Sequence, residues 1–241
     1  MDQNKLDIAR SKIIVAMDVP LLTTARNLAA KLKGHVGMYK VGKQLFTAYG
    51  PKAVKACGGD VFLDLKYFDI PTTVALAGIE AAKLGVAMFN MHALGGEKMM
   101  TKTVTDLHEK YPDPSQRPKI LAVTILTSLS DEDLKKSGIN MSTTDMVMIL
   151  AMLAKKCGVD GVVASPQETK MIRELCGSDF IITTPGIRME DGNIDDQKRI
   201  ATPRSAILNG ANLLVIGRPI TEAKDPVAAA DRIAEEIAAV L

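Results

Sequence analysis

Eight short apolar runs recur along the chain, and their even spacing restricts its possible folds more than any other feature. Each run is rich in Val, Ile, Leu and Met, and none alternates regularly between apolar and polar residues. The runs are IIVAMDV from Ile13, MYKVG from Met38, VFLDLK from Val61, AMFNMH from Ala87, ILAVTIL from Ile120, GVVAS from Gly161, FIITTPG from Phe180 and LLVIG from Leu213. Such runs are typical of strands in a parallel sheet that helices cover.

The segments between these runs have the period of amphipathic helices, with apolar residues recurring at intervals of three and four. Several, such as TTARNLAAKLKG, begin on a capping residue and end on Gly. Eight repeats in 241 residues average about 30 residues each, which is the size of a unit in a closed barrel. An open doubly wound sheet is the competing fold, but no GxGxxG follows the first run and no Ser/Gly/Pro-rich linker divides the chain. We therefore predict one domain over residues 1–241, a single-domain α/β TIM barrel, (β/α)8, with its active site at the C-terminal ends of the strands.

Composition and charge exclude several classes of partner. The chain has 30 basic and 28 acidic residues and only 4% aromatic residues, whereas nucleic-acid binding favours a basic excess and aromatic stacking surfaces. The longest apolar run, Met146–Ala154, is far shorter than the ~20 residues of a membrane span, and the charged N-terminal segment is unlike a secretory signal. Cys57, Cys157 and Cys176 are too far apart for a CxxC metal site, and each precedes a Gly, as at a helix C-terminus. We expect a cytoplasmic protein without disulfides, nucleic acid or membrane partners.

Charged residues of alternating sign follow the first three runs. Asp18 ends the first, Lys40 lies in the second, and the third ends in Asp64 and Lys66, with Asp69 in the loop beyond. Solvated ion pairs at the barrel rim are the structural alternative, but such pairs add little stability. A lysine flanked by carboxylates is held as ammonium, and so suits a general acid better than a Schiff base. The pattern favours Lys66 as a proton donor.

A second cluster follows the last two strands, where barrels commonly bind phosphate. Gly186 and Arg188 follow the seventh run, and Gly217 and Arg218 follow the eighth. Glycine lets a backbone N–H approach an anion, and arginine offers a bidentate fork. The long polar loop 185–202 is a candidate lid over this end of the barrel. Together, the two clusters predict a phosphorylated small molecule lying across the barrel mouth.

The segment VFLDLKYFDIPTTV fits the D-x-K-x-x-D-[IV]-x-x-T signature of the orotidine 5′-phosphate decarboxylase family at every fixed position. The chain also resembles that family in AMDVP, YKVG, NMHALGG, TILTS, TTPGIR, the Gln of DDQKR and VIGRPI, in the family's order. DxKxxD alone also occurs in related sugar-phosphate lyases, so the combination carries the resemblance. One departure is Tyr67-Phe68, where many relatives have Phe-His.

The resemblance implies decarboxylation of orotidine 5′-monophosphate to uridine 5′-monophosphate, a step of pyrimidine biosynthesis, with no metal or organic cofactor. Lys66 would protonate C6 of the pyrimidine, Asp64 would lie beside the substrate carboxylate, and Lys40 and Asp69 would complete the charged network. In this family Asp69 and Thr73 reach the neighbouring subunit's site, which implies a homodimer. The remaining implied contacts are to ribose by Asp18 and Lys40, to the base or lid by Thr127 and Gln197, and to phosphate by Arg188, Gly217 and Arg218.

Two alternatives stay open at this stage. A metal-dependent sugar-phosphate lyase would share the barrel and DxKxxD, but would need additional carboxylates where the second run has Lys40. A non-catalytic nucleotide-binding barrel would explain the phosphate cluster but not the Asp64–Lys66–Asp69 set. We expect His92, at the end of the fourth run, to face the site as either a supporting hydrogen-bond partner or a catalyst, because a lone His does not make a metal site.

Overall fold

Each of the eight apolar runs forms a strand, and the strands close into a parallel barrel in sequence order. The computed structural model describes residues 2–189 and 201–241. The strands are β1 (Ile13–Ala16), β2 (Met38–Gly42), β3 (Val61–Tyr67), β4 (Met88–His92), β5 (Lys119–Val123), β6 (Gly161–Val163), β7 (Ile181–Thr184) and β8 (Leu213–Ile216). Pairing of Ile13 with Leu214 closes the barrel between β1 and β8. The predicted (β/α)8 fold is confirmed.

Helices follow the strands and surround the barrel. They are α1 (Gln3–Ser11), α2 (Leu22–Leu32), α3 (Lys43–Tyr49), α4 (Pro51–Cys57), α5 (Pro71–Lys83), α6 (Gly96–Lys110), α7 (Asp131–Lys136), α8 (Thr143–Lys156), α9 (Thr169–Cys176), α10 (Pro203–Leu208), α11 (Arg218–Thr221) and α12 (Pro226–Ala238). Short 3₁₀ turns occur at Ala93–Gly95 and Pro114–Gln116. Within the described residues, no helix is both long enough and apolar enough to cross a membrane.

The three cysteines lie where the glycines after them predict, at helix C-termini. Cys57 and Cys176 are the last residues of α4 and α9, and Cys157 caps α8. The glycine after Cys57 has φ +62°, a left-handed conformation that glycine adopts without steric cost. All three thiols are buried and unpaired, which is typical of cysteines that pack as small apolar side chains.

Two apolar layers stabilise the barrel. The larger lies between the strands and the helices, and a smaller one fills the barrel interior. The interior layer consists of side chains that point inward from the strands, namely Ile14, Ala16, Phe62, Met88, Leu121 and Val215. Because side chains two apart share a face of a strand, the residues that follow this layer also point inward, toward the C-terminal mouth. The layer is therefore the floor of any site at that mouth.

Candidate active site

On four adjacent strands, the inward position above the apolar floor is polar or charged. Each such residue lies two positions after an apolar residue that either belongs to the interior cluster or packs against that cluster. These residues are Asp18 after Ala16, Lys40 after Met38, Asp64 after Phe62 and Asn90 after Met88. The alternation of strand side chains thus brings together charges that are as much as 46 positions apart in sequence.

Four of the five predicted charges form one continuous chain of ion pairs. Lys40 Nζ lies 3.0 Å from Asp18 Oδ1 and 3.4 Å from Asp64 Oδ2. Lys66 Nζ lies 2.6 Å from the other oxygen of Asp64, Oδ1. Asp64 is therefore between two ammonium groups, and both of its oxygens are engaged. Lys40 and Asp64 are buried, whereas Lys66 is partly open to the cavity.

The charge state of Asp64 is set by competition between burial and its neighbours. Burial alone raises the pKa of this carboxyl, because a low-dielectric setting disfavours the anion. The charges of Lys40 and Lys66, with hydrogen bonds from Lys66 and Asn90, outweigh burial, so the pKa lies below its ordinary value. Asp64 is consequently a carboxylate at neutral pH.

This lowered pKa predicts a pH-dependent effect of Asp64→Asn on stability. An acid whose pKa is depressed on folding stabilises the fold above its unfolded value, 3.8 here, and that contribution is lost as pH falls through the folded-state pKa. We expect the substitution to lower the unfolding free energy at pH 7 and to have a smaller effect near pH ~3. Urea unfolding of both proteins at the two pH values measures this; an equal effect at both would contradict the assigned ionisation.

Asn90 belongs to the site, although the sequence analysis did not select it. Its side chain is fully buried, its Nδ2 donates to Asp64 Oδ1 at 2.6 Å, and its Oδ1 accepts from the Lys66 backbone N–H at 2.7 Å. One sequence signal was present, since Asn90 is the only polar residue between Ala87 and Met91. A buried amide inside an apolar strand needs partners, and both partners here belong to the DxK motif.

The predicted phosphate residues line the opposite side of the same cavity, which has a volume of 530 Å³. Gly186 has φ +83°, and Arg188 turns one guanidinium nitrogen back to the carbonyl of Ile187 at 3.0 Å. The cavity lining includes Asp18, Lys40, Asp64, Lys66, Thr127, Gly186, Arg188, Gly217 and Arg218. The structure thus brings the acid–lysine chain and the Gly/Arg cluster into one site at the C-terminal ends of the strands.

Two of the sequence-predicted residues do not line this cavity. Asp69 and Thr73 are exposed on the surface of the single chain, and the Asp69 carboxylate accepts from the Ile70 backbone N–H at 2.6 Å. Gln197, with most of the predicted lid loop, lies outside the described residues.

His92 lies at the end of β4 but does not line the cavity. Its ring stacks at a tilt against Phe68, with centroids 5.6 Å apart. Burial, followed by the positive charges of Lys66 and Lys43, lowers the pKa of His92. The imidazole is therefore neutral at pH 7, and it lies outside the cavity lining.

The donor set at the mouth differs from that of a divalent-metal site. Among residues 2–189 and 201–241, no three His, Cys, Asp or Glu side chains lie close enough together to hold a metal ion. Where two carboxylates converge, Asp18 and Asp64, the Lys40 ammonium group occupies the space between them. The positive charge between these two carboxylates is therefore the ammonium group of Lys40.

Comparison with known proteins gives a consistent result. Residues 11–233 match the family described as orotidine 5′-phosphate decarboxylase / HUMPS. Orotidine 5′-phosphate decarboxylase of Geotalea uraniireducens is 55% identical over 97% of this chain and 98% of its own length, and that of Geobacter sulfurreducens is 52% identical over the same shares. The crystal structure of orotidine 5′-phosphate decarboxylase from Lactobacillus acidophilus has a TM-score of 0.82 at 39% identity, over 93% of this chain and 98% of that chain.

Proposed function

Because the chain belongs to the orotidine 5′-phosphate decarboxylase / HUMPS family, we propose that its cavity converts orotidine 5′-monophosphate to uridine 5′-monophosphate without a cofactor. The observation that carries this proposal is the Asp18–Lys40–Asp64–Lys66 chain, which faces the Gly/Arg cluster across one cavity. The relatives with this activity match nearly the whole chain. The proposal places the enzyme in the cytoplasm, where unpaired cysteines such as these stay reduced.

The chemistry assigned to the charged chain is a proton transfer to carbon. The bond between C6 and the substrate carboxylate breaks, carbon dioxide leaves, and the electron pair remains on C6. The Lys66 ammonium group stabilises that carbanion and then donates a proton to it, so that a C6–H bond forms and Lys66 becomes a neutral amine. Asp64 supports both stages, since its carboxylate contacts and orients the Lys66 ammonium group and its negative charge disfavours a second carboxylate nearby.

The rest of the cavity is assigned to binding. Asp18 and Lys40 would hold the ribose hydroxyls, and Thr127 would contact the pyrimidine. Arg188, Gly217 and Arg218 would bind the phosphate, because guanidinium groups and glycine backbone N–H groups suit a phosphate monoester. Gln197 is assigned to the base or the lid by resemblance alone. Energy from the remote phosphate contacts would serve to hold the reacting ring against Lys66.

A homodimer is part of the proposal, and exposed apolar side chains close in sequence to the two residues assigned to the neighbouring site support it. Phe68 and Ile70 flank Asp69 with 61% and 66% of their surfaces exposed, and Leu76, one helical turn after Thr73, is 56% exposed. Groups of large exposed apolar side chains are typical of interaction surfaces. If a second copy of the chain covered these side chains, Asp69 and Thr73 of the first copy would lie near the cavity mouth of the second.

A direct assay tests the activity. Purified protein is mixed with orotidine 5′-monophosphate, and the loss of substrate absorbance is followed with and without EDTA. We expect decarboxylation that chelation does not change. Activity that disappears with EDTA would favour the metal-dependent lyase chemistry, and tight binding of the nucleotide without turnover would favour a non-catalytic barrel.

Gly42 gives a prediction about substrate binding. A Cβ at this position would lie 2.8 Å from Asp18 Oδ1 and 2.9 Å from Lys40 Nζ, too close for either group to stay in place. Both are ends of flexible side chains, so we expect Gly42→Ala to fold with little change in Tm. Displacing groups that hold the ribose should lower kcat/KM by roughly 10- to 100-fold. The matched control is Gly59→Ala, whose Cβ would meet the Tyr39 ring at 3.2 Å; equal kinetic effects of both substitutions would contradict this role.

A further inference from the structure

The strand that carries the catalytic residues is irregular at the position of the motif. β3 pairs regularly with β4 at Phe62–Met88 and Leu63–Phe89, and pairs again at Tyr67–Met91. Four steps along β3 therefore correspond to two along β4, so extra residues of the DxK motif bulge out of the ladder. Bulges of this kind re-aim side chains next to active sites.

Lys66 has an unusual backbone conformation inside this bulge. Its φ is +52°, and within the described residues it is the only residue other than glycine with a positive φ. A residue other than glycine is strained in the left-handed region, and this conformation persists only where surrounding contacts hold it. Those contacts must come from something other than the regular ladder, which the bulge interrupts.

Asn90 lies opposite the bulge and supplies the missing contacts. It is the β4 residue between Phe89 and Met91, the last paired position before the bulge and the first after it. Its Oδ1 accepts the Lys66 backbone N–H, in place of a main-chain carbonyl of β4, and its Nδ2 donates to the same Asp64 oxygen that receives Lys66 Nζ. One amide thus holds both the backbone of Lys66 and the carboxylate that its ammonium group contacts.

We propose that Asn90 is the positioning residue that fixes the Lys66 backbone and Asp64 Oδ1 in the geometry needed for proton transfer to C6. This inference rests on the proposed decarboxylase function. When Lys66 gives up its proton it no longer pairs as a cation with Asp64, whereas the Asn90 N–H still holds that oxygen. Asp64 therefore keeps its orientation through the reaction, between Lys40 on one oxygen and Asn90 on the other.

The decisive variant is Asn90→Asp, because it keeps the shape of the side chain and changes only one donor. At low pH the introduced carboxyl group is protonated, so its O–H donates to Asp64 and its carbonyl oxygen accepts the Lys66 N–H, as the amide does. At high pH the group is a carboxylate against Asp64, and the two like charges repel. We expect kcat of the variant, relative to wild type, to rise by about 10-fold or more as pH is lowered from ~9 to ~5. Asn90→Ala, which lacks both contacts, should lose about 100-fold in kcat at every pH, with a smaller change in KM.

Asn212→Asp is the matched control for a structural role. Asn212 Oδ1 also accepts a backbone N–H, that of Ile182 at 2.8 Å, but it lies just before β8, at the opposite end of the barrel from the cavity. Its substitution should leave the pH profile of kcat unchanged. A ratio of Asn90→Asp kcat to wild-type kcat that stays constant across pH would overturn the inference, and so would an Asn90→Ala kcat within threefold of wild type. In either case decarboxylation by the wild-type protein would still support the proposed function. Wild-type protein that does not decarboxylate the nucleotide would overturn both.

Discussion

Replacing Lys66 with Ala is expected to lower kcat for decarboxylation on the order of 10⁴-fold or more, the largest effect of any single substitution in this site. The substitution removes two contributions at once. The ammonium group no longer stabilises the carbanion at C6, and no proton donor remains beside it. Lys40 cannot substitute, because its ammonium group is buried between Asp18 and Asp64.

Single-turnover measurements of Lys66→Ala with orotidine 5′-monophosphate, alongside a thermal melt, separate lost chemistry from lost folding. The fold should survive, since Asp64 keeps Lys40 and Asn90 as partners. Lys83→Ala is the control for removing a lysine, because Lys83 is exposed at the C-terminal end of α5, where it pairs with Glu80. Near wild-type turnover by Lys66→Ala would show that the proton comes from another group.

The fold was predictable from the sequence because a parallel barrel repeats one simple pattern. Every strand is covered on both sides, so each appears as a short apolar run, and the run beginning at Ile13 is as clear as the one beginning at Leu213. Local signals also determined the helix ends, as at Gly58, where a left-handed backbone follows Cys57. Neither signal depends on contacts between distant parts of the chain.

The site was predictable only where residue type and strand position were sufficient. Asp18, Lys40, Asp64 and Lys66 are charged residues at strand ends, and the closed barrel brings them into contact. Asn90 was missed because its importance comes from the bulge opposite it, and a bulge depends on pairing between two strands rather than on the sequence of either. The positive φ of Lys66 is hidden for the same reason, since residue type alone would favour glycine there.

Asp69 and Thr73 raise a different question, since the single chain leaves them outside the cavity. Both lie on the surface beside the exposed apolar side chains of Phe68 and Ile70. The catalytic role proposed for Asp69 therefore requires another subunit to approach this surface. If the dimer brings Asp69 to the neighbouring cavity, each complete site must combine Lys66 of one subunit with Asp69 of the other.

A shared site predicts that two inactive variants restore each other. Lys66→Ala and Asp69→Ala should each be impaired as homodimers, the second by roughly 10²- to 10³-fold. In a mixed dimer both substitutions fall in one site, and the other site is intact. Equal amounts unfolded and refolded together should therefore recover about a quarter of wild-type activity, since about half the dimers are mixed and each has one intact site.

The matched control for this complementation is Lys66→Ala refolded with Asp64→Asn. Lys66 and Asp64 contact each other within one chain, so both substitutions damage the site of their own subunit, and no mixed dimer has an intact site. Recovery with Asp69→Ala but not with Asp64→Asn would place Asp69 in the neighbouring subunit's site. Absence of recovery in both mixtures, with mixed dimers demonstrated by differently tagged subunits, would place Asp69 outside that site and contradict the shared-site dimer.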